Sequence, residues 1–161
     1  MVTGIARGSK SWLMTEPFSG YILEELSVGQ SAELVREITE ERIQRFAEAS
    51  DDFNPVHVDE AFAQTTPYRG RIAHGLLSAS FVSAVVGTLL PGPGAIYLHQ
   101  TLSFYKPVRI GEVCTARVTV TAIDHATARV TLKTECLVGG EPVLDGEATI
   151  RVPRKRRTPR G

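Results

Sequence analysis

The chain has 161 residues, of which 42% are hydrophobic and 22% are charged, and its formal net charge at pH 7 is zero. These values indicate one globular domain rather than a disordered chain. The balanced charge also excludes an overall basic field of the kind that attracts nucleic acid. The two cysteines, Cys114 and Cys136, lie in segments where apolar and polar residues alternate, and both occupy apolar positions. We therefore expect buried thiols. This cysteine usage fits a reducing, cytoplasmic compartment.

The two ends of the chain differ in composition from its middle. Residues 1–20 contain no apolar run long enough for a signal peptide, and we expect a flexible N-terminal extension there. Residues 21–152 are predicted to form a single domain. Residues 153–161 are predicted to form a basic tail, which we expect to be solvated; a phosphate-binding or targeting role is the alternative. Its basic residues are Arg154, Lys155, Arg156, Arg157 and Arg160.

The first half of the domain carries mainly helical signals. Residues 21–36 have some strand character, and Thr39 is a predicted N-cap for a helix that ends near Ser50. Asp59 is predicted to cap a second, short helix. The apolar stretch 76–90 is too short to span a bilayer and predicts a helix that is buried on nearly all sides.

After residues 91–94 (PGPG), the hydrophobic period changes to that of a strand. Four runs alternate apolar and polar residues, and turn-forming residues separate them at 107–111, 124–127 and 139–140. Together they predict an antiparallel meander with one buried face, and an apolar helix preceding it predicts an α+β fold in which a curved sheet wraps around that helix. The positions predicted to be buried are Leu98, Leu102, Phe104, Ala116, Val118, Val120, Ala122, Val130, Leu132, Ala148, Ile150 and Val152.

Two short segments carry candidate chemistry. Asp52 and His57 are a carboxylate and an imidazole five residues apart, and the intervening Asn54-Pro55 is expected to prevent a helix, so a turn can bring both side chains to one point. Such a pair can hold a water molecule and move protons at neutral pH. Residues 72–75 directly precede the apolar helix, whose first N–H groups can stabilise a carbonyl oxygen that gains negative charge. Spacing alone leaves an alternative for each segment. Asp52 could simply cap a helix or close a turn, and residues 72–75 could simply form a tight entry into the helix.

These segments resemble the signatures of a known family. Residues 52–57 (DFNPVH) match the motif D-x-N-P-[LIV]-H, which resembles the MaoC-like (R)-specific enoyl-CoA hydratases, the hydratase 2 family. Residues 71–76 (RIAHGL) are similar to the second signature of that family, and the strand at 96–107 is also similar. The resemblance runs from about residue 26 to residue 152. It is closest to the short single-domain members that supply (R)-3-hydroxyacyl-CoA for the synthesis of polyhydroxyalkanoates.

The resemblance implies a hot-dog fold, a cytoplasmic homodimer with the acyl chain near the subunit interface, and hydration of trans-2-enoyl-CoA to (R)-3-hydroxyacyl-CoA. It implies that Asp52 and His57 are the catalytic residues and that the Gly75 N–H binds the thioester oxygen. Asn54 and Ser83 take supporting positions near the pair. No metal is implied, no cofactor beyond the CoA of the substrate, and no nucleic-acid or membrane partner. We favour Asp52 as the base and His57 as the acid, with the reverse assignment left open.

One departure and several alternatives accompany this hypothesis. The family often has glycine where this chain has Asp51, which we expect to face solvent. The nearest alternative is a 3-hydroxyacyl-[acyl-carrier-protein] dehydratase of the same fold. A hot-dog thioesterase and a non-catalytic acyl-CoA-binding protein are further alternatives, but the hydratase motif and its intact acid–imidazole pair argue against them. His74 is expected only to order its loop.

Overall fold

The computed structural model describes residues 20–155. Its helices are α1 (Glu40–Ser50), α2 (Pro55–Val58), α3 (Glu60–Thr65) and α4 (Gly75–Thr88), with a 3₁₀ turn at Leu23–Glu25. Its strands are β1 (Ser31–Glu37), β2 (Ile96–Gln100), β3 (Ser103–Phe104), β4 (Val113–Asp124), β5 (Arg129–Val138) and β6 (Glu141–Arg151). The predictions for residues 1–19 and for residues 156–161 of the tail lie outside the described residues. None of the helices between residues 20 and 155 has the length and apolar character needed to cross a membrane.

All six strands of the described chain form one antiparallel sheet. The strand order is β1-β4-β5-β6-β2, and the short β3 pairs with β6 beside β2. Helix α4 packs against β1, β4 and β5, and its buried residues share one hydrophobic core with the inner face of the sheet. This arrangement confirms the predicted α+β, hot-dog fold, in which the sheet covers a central helix.

The helix boundaries follow from local capping. The Thr39 hydroxyl oxygen accepts a hydrogen bond from the N–H of Arg42 at 3.2 Å at the start of α1. Asp59 Oδ1 accepts one from the N–H of Phe62 at 3.0 Å at the start of α3. Both predicted caps are therefore confirmed, as is the end of α1 at Ser50. These bonds satisfy N–H groups that have no partner inside the helix.

The predicted alternation of buried residues is confirmed in β5, in β6 and in β4 up to Val120, but it is wrong for Leu98, Phe104 and Ala122. In the strand predicted at 96–107, Leu98 is 45% exposed and Phe104 is 51% exposed. The chain there forms two short strands, β2 and β3, which pair with β6 at the rim of the sheet. Ala122 is exposed because a β-bulge between Val120 and Ala122 shifts the register. Cys114 and Cys136 are buried and unpaired by disulfide, as expected.

Helix α4 is buried on one face only, which corrects the prediction that it is buried on nearly all sides. Leu77, Phe81 and Val85 lie in the core, whereas Leu76 is 58% exposed and Ser83 is also exposed. The sheet covers a single side of the helix. Because the serines of this helix lie on both faces, with Ser78 buried and Ser83 exposed, the sequence has no polar stripe that would have identified the uncovered face.

Candidate active site

Asp52 lies in the turn that joins α1 to α2. The preceding Asp51 has φ 58°, in the left-handed region, and turns the chain away from the end of α1. The N–H of Asp52 donates to the Ser50 hydroxyl at 3.3 Å, and the N–H of Asn54 donates to Asp52 Oδ1 at 3.2 Å. The carboxylate is therefore oriented by an Asx turn. The left-handed backbone explains why glycine suits position 51, and Asp51 is exposed as predicted.

His57 lies on the one-turn helix α2. Asn54 caps this helix by accepting a hydrogen bond from the N–H of Val56 at 3.3 Å. The expectation that Asn54-Pro55 prevents a helix is therefore wrong for this turn, because Pro55 occupies the first helical position, where its fixed φ and missing N–H are favourable. The capped turn places the imidazole of His57 in the protein interior, with 9% of the residue exposed.

The surroundings of His57 favour its neutral form and one tautomer. Its Nδ1 lies 2.8 Å from the carbonyl oxygen of Ile72. Because a carbonyl only accepts, neutral His57 carries its proton on Nδ1 and presents the lone pair of Nε2. Burial lowers the pKa of His57 and the nearby His74 lowers it further, which outweighs the opposite effects of the Ile72 carbonyl and of Asp52.

The turn and α2 bring Asp52 and His57 together. A carboxylate oxygen of Asp52 and one ring nitrogen each of His57 and His74 lie within 4.8 Å of one another. Two hydrogen bonds of about 2.8 Å that meet at one water oxygen span ~4.6 Å. The Asp52 carboxylate and a His57 ring nitrogen are therefore close enough for one water molecule to bridge them.

The same three residues are also of types that bind metal ions. However, the rings of His57 and His74 lie 3.9 Å apart, centroid to centroid, with an interplanar angle of 32°. Each ring also places one nitrogen against a backbone carbonyl oxygen, His57 Nδ1 at 2.8 Å from that of Ile72 and His74 Nε2 at 2.9 Å from that of Asp52. At most one nitrogen of each ring is therefore left for a metal ion.

The second motif is held against the first by backbone hydrogen bonds. The N–H of Ile72 donates to the carbonyl of Val56 at 3.3 Å, and the N–H of Ala73 donates to the carbonyl of Val108 at 2.7 Å. The next residue, His74, places its Nε2 2.9 Å from the carbonyl oxygen of Asp52. The N-terminus of α4 is thereby fixed beside the Asp52–His57 pair.

Gly75 is the first residue of α4 and is exposed to solvent. The N–H groups of a first helical turn have no intrahelical partner and carry the positive end of the helix dipole. The ring of Phe104, from β3, lies directly against this glycine: a Cβ at position 75 would be 2.8 Å from Phe104 Cε1 and 2.9 Å from Phe104 Cδ1. Glycine thus allows an aromatic ring to approach the backbone at the helix start.

The sequence-predicted site residues fall into two groups. Asp52, Asn54, His57 and Gly75 are gathered where the two motifs meet. Ser83 lies on the exposed side of α4, eight positions after Gly75, which is roughly 12 Å along a helix axis. Its expected place near the catalytic water stays a prediction.

Sequence reasoning missed two residues that shape the site. His74 was expected only to order a loop, yet it contacts both Asp52 and His57; its place directly before Gly75 in the second motif was the available signal. Phe104 was predicted to be a buried strand residue, but its ring covers Gly75. No local pattern identifies that contact, because it joins residues that are distant in the chain.

Comparison with known proteins agrees with this architecture. A relative named (R)-specific enoyl-CoA hydratase from Rhodospirillum rubrum is 53% identical over 84% of this chain and 94% of the relative. A relative named 3-hydroxybutyryl-CoA dehydratase from Methylorubrum extorquens is 48% identical over 82% of this chain and 84% of its own length. The solved structure of the R-hydratase PhaJ1 from Pseudomonas aeruginosa superposes with a TM-score of 0.80 at 41% identity, covering 88% of this chain and 96% of that chain.

The antiparallel sheet over a central helix, with a carboxylate and an imidazole close together near the N-terminus of that helix, defines a hot-dog protein. The family model described as MaoC like domain matches residues 25–138. The chain belongs to the MaoC-like family.

Proposed function

We propose that this protein is an (R)-specific enoyl-CoA hydratase, a hydro-lyase that adds water to trans-2-enoyl-CoA and forms (R)-3-hydroxyacyl-CoA. The observation that carries the proposal is the placement of Asp52 and His57 at a separation that one water molecule bridges, beside the start of α4. The 53% identity to a relative of that name supports the same reaction. The proposed reaction needs no metal and no cofactor besides the CoA that belongs to the substrate.

The protonation state and tautomer of His57 support a specific mechanism. Neutral His57 presents the Nε2 lone pair, because its Nδ1–H is directed at the Ile72 carbonyl, so His57 takes a proton from the water as the water oxygen bonds to C3. Asp52 holds that water and stabilises the imidazolium that forms. The proton is then returned to C2, so that the elements of water add across the double bond. This assigns the base to His57, the opposite of the assignment favoured from the sequence.

The N-terminus of α4 supplies the other half of the mechanism. As the bond to C3 forms, electron density moves to the thioester oxygen and an enolate develops. In the proposed mechanism, the Gly75 N–H, at the positive end of the helix dipole, donates to that oxygen. Losing such a donor typically raises the barrier by about 3 kcal/mol, so this contact ranks with the acid–base pair in importance.

The proposed carrier of the acyl group is CoA rather than an acyl carrier protein. Both relatives reported above have CoA thioesters in their names. Parallel assays of crotonyl-CoA and of the same acyl group on an acyl carrier protein distinguish the two carriers, because a carrier-protein dehydratase turns over the second substrate faster.

A cytoplasmic homodimer is part of the proposal. Strand β2 ends the sheet of the described residues, and its Ile96, Tyr97 and Leu98 are 55%, 39% and 45% exposed. An exposed apolar edge strand is a template for pairing with another strand. A second copy of this chain, paired through its own β2, would continue the sheet and cover these side chains.

The central experiment measures hydration of crotonyl-CoA by Asp52→Asn and His57→Gln variants, following the loss of the absorbance of the conjugated thioester. We expect each variant to lose at least ~10²-fold in kcat with an unchanged thermal unfolding midpoint, because each removes a positioned acid–base group. His125→Gln, in an exposed turn, is the matched control and should keep wild-type activity. Turnover near wild type in either site variant contradicts the proposal. Tight acyl-CoA binding by a wild-type protein that lacks turnover, or release of free thiol, would support the non-catalytic or the thioesterase alternative.

A further inference from the structure

His74 is a buried polar side chain that the proposed reaction does not use. Only 2% of the residue is exposed. Its Nε2 lies 2.9 Å from the backbone carbonyl oxygen of Asp52, to which it donates in the neutral form. Its ring stacks on the imidazole of His57 at a centroid distance of 3.9 Å and also contacts Phe46 at 5.0 Å. One side chain therefore contacts both Asp52 and His57.

Packing alone does not account for a histidine at this position. A buried polar group destabilises the fold unless it is hydrogen-bonded. His74 Nδ1 is buried and has no hydrogen-bond partner within residues 20–155. Phenylalanine would fill a similar volume beside Phe46 without an unpaired ring nitrogen. The interaction that phenylalanine could not make here is the hydrogen bond to the Asp52 carbonyl, whereas the stacking on His57 needs only an aromatic ring.

These two interactions act on the two parts of the site that carry the proposed reacting groups. The turn around Asp52 contains the left-handed residue Asp51, and the Asp52 side chain is exposed, so the hydrogen bond to its carbonyl restrains the backbone that carries the carboxylate. The stacked ring restrains rotation of the His57 imidazole, which Ile72 otherwise holds through a single bond.

We propose that His74 is a positioning residue that holds Asp52 and His57 at the separation required to bind one water molecule between them. This inference rests on the proposed hydratase function. His74 also has an electrostatic effect: together with Asp52 it is one of the ionisable groups that act on His57, and its proximity disfavours the imidazolium form. Removing the His74 imidazole should therefore raise the pKa of His57.

Two variants separate the contributions of His74. His74→Phe keeps an aromatic ring against His57 and Phe46 but removes the donor to the Asp52 carbonyl. His74→Gln keeps an N–H donor near the position of Nε2 but removes the ring. We expect His74→Phe to lower kcat by roughly 10–100-fold with little change in KM, because a misplacement of about 1 Å has effects of that size. His74→Gln should retain more activity than His74→Phe. If His74→Phe does not fold, His74→Gln alone tests the proposal.

The pH dependence separates positioning from a purely structural role. In both variants we expect the acidic limb of the kcat profile to move to higher pH, since the neutral His57 base is lost at a higher pH once its neighbour is removed. A purely structural role would lower activity only in proportion to the folded fraction and would leave the profile unshifted. His125→Gln is again the control and should leave the profile unchanged.

Nitrogen-15 NMR titration of the His57 ring in wild type and in the variants gives a readout that does not depend on turnover. An upward shift of the His57 titration in His74→Gln supports the inference even if the wild-type protein fails to hydrate crotonyl-CoA, which would refute only the proposed function. Folded His74 variants with wild-type kcat, an unshifted pH profile and an unshifted His57 titration would overturn the inference.

Discussion

Replacing Gly75 by alanine tests the role of the α4 N-terminus. The new Cβ would lie 2.8 Å and 2.9 Å from two ring carbons of Phe104, whereas ordinary contact begins at 3.4 Å. The ring must therefore withdraw by at least 0.6 Å. Phe104 is 51% exposed and lies at the rim of the sheet, so it can move toward solvent without opening a cavity in the core.

This geometry predicts a loss of activity without a loss of stability. Alanine is a better helix former than glycine by up to about 1 kcal/mol, which offsets the displacement of an exposed ring. The added methyl group and the displaced ring both stand beside the N–H that is proposed to meet the thioester oxygen. We expect kcat to fall by roughly 10–100-fold, as typical of a lost or misplaced oxyanion donor, and the free energy of unfolding to change by less than about 1 kcal/mol.

The assay is steady-state hydration of crotonyl-CoA together with urea unfolding of the same preparations. Gly75→Ala is compared with Phe104→Leu and with the double variant, because leucine at position 104 removes the ring that the methyl group displaces. If ring displacement causes the loss, the double variant regains part of the activity that Gly75→Ala lacks. Wild-type kcat in a folded Gly75→Ala protein would refute the assignment of the helix N-terminus to thioester binding.

Two further predictions concern stability around the site. Asp51 has φ 58°, so Asp51→Gly should raise the free energy of unfolding in urea by about 0.5–1 kcal/mol through relief of left-handed strain; an unchanged or lower value would contradict this account. Burial lowers the pKa of His57 below its usual 6.5, so the unfolded chain binds more protons than the folded chain, and the free energy of unfolding should decrease as the pH falls through and below this value. His57→Phe should flatten that dependence, and a wild-type slope in this variant would show that other groups cause it.

Local chemistry alone determined much of this protein. The caps at Thr39 and Asp59 rely on side chains that bond to N–H groups three residues away, and the alternation in β4–β6 reflects one covered face of a sheet. The two short motifs identified Asp52, His57 and Gly75 as candidates because their resemblance to a family rests on contiguous residues. Such features depend on near neighbours in the chain, and they are therefore visible in the sequence.

Tertiary structure decided which of these features meet and which surfaces stay open. His74 bonds to the carbonyl of a residue 22 positions earlier, and Phe104 reaches Gly75 only because β3 pairs with β6 at the rim of the sheet. The exposure of β2 and of one side of α4 likewise follows from strand order and from the side that the sheet covers. Contacts of this kind are set by how distant segments pack against one another, and the hydrophobic period of any single segment contains no information about its partner.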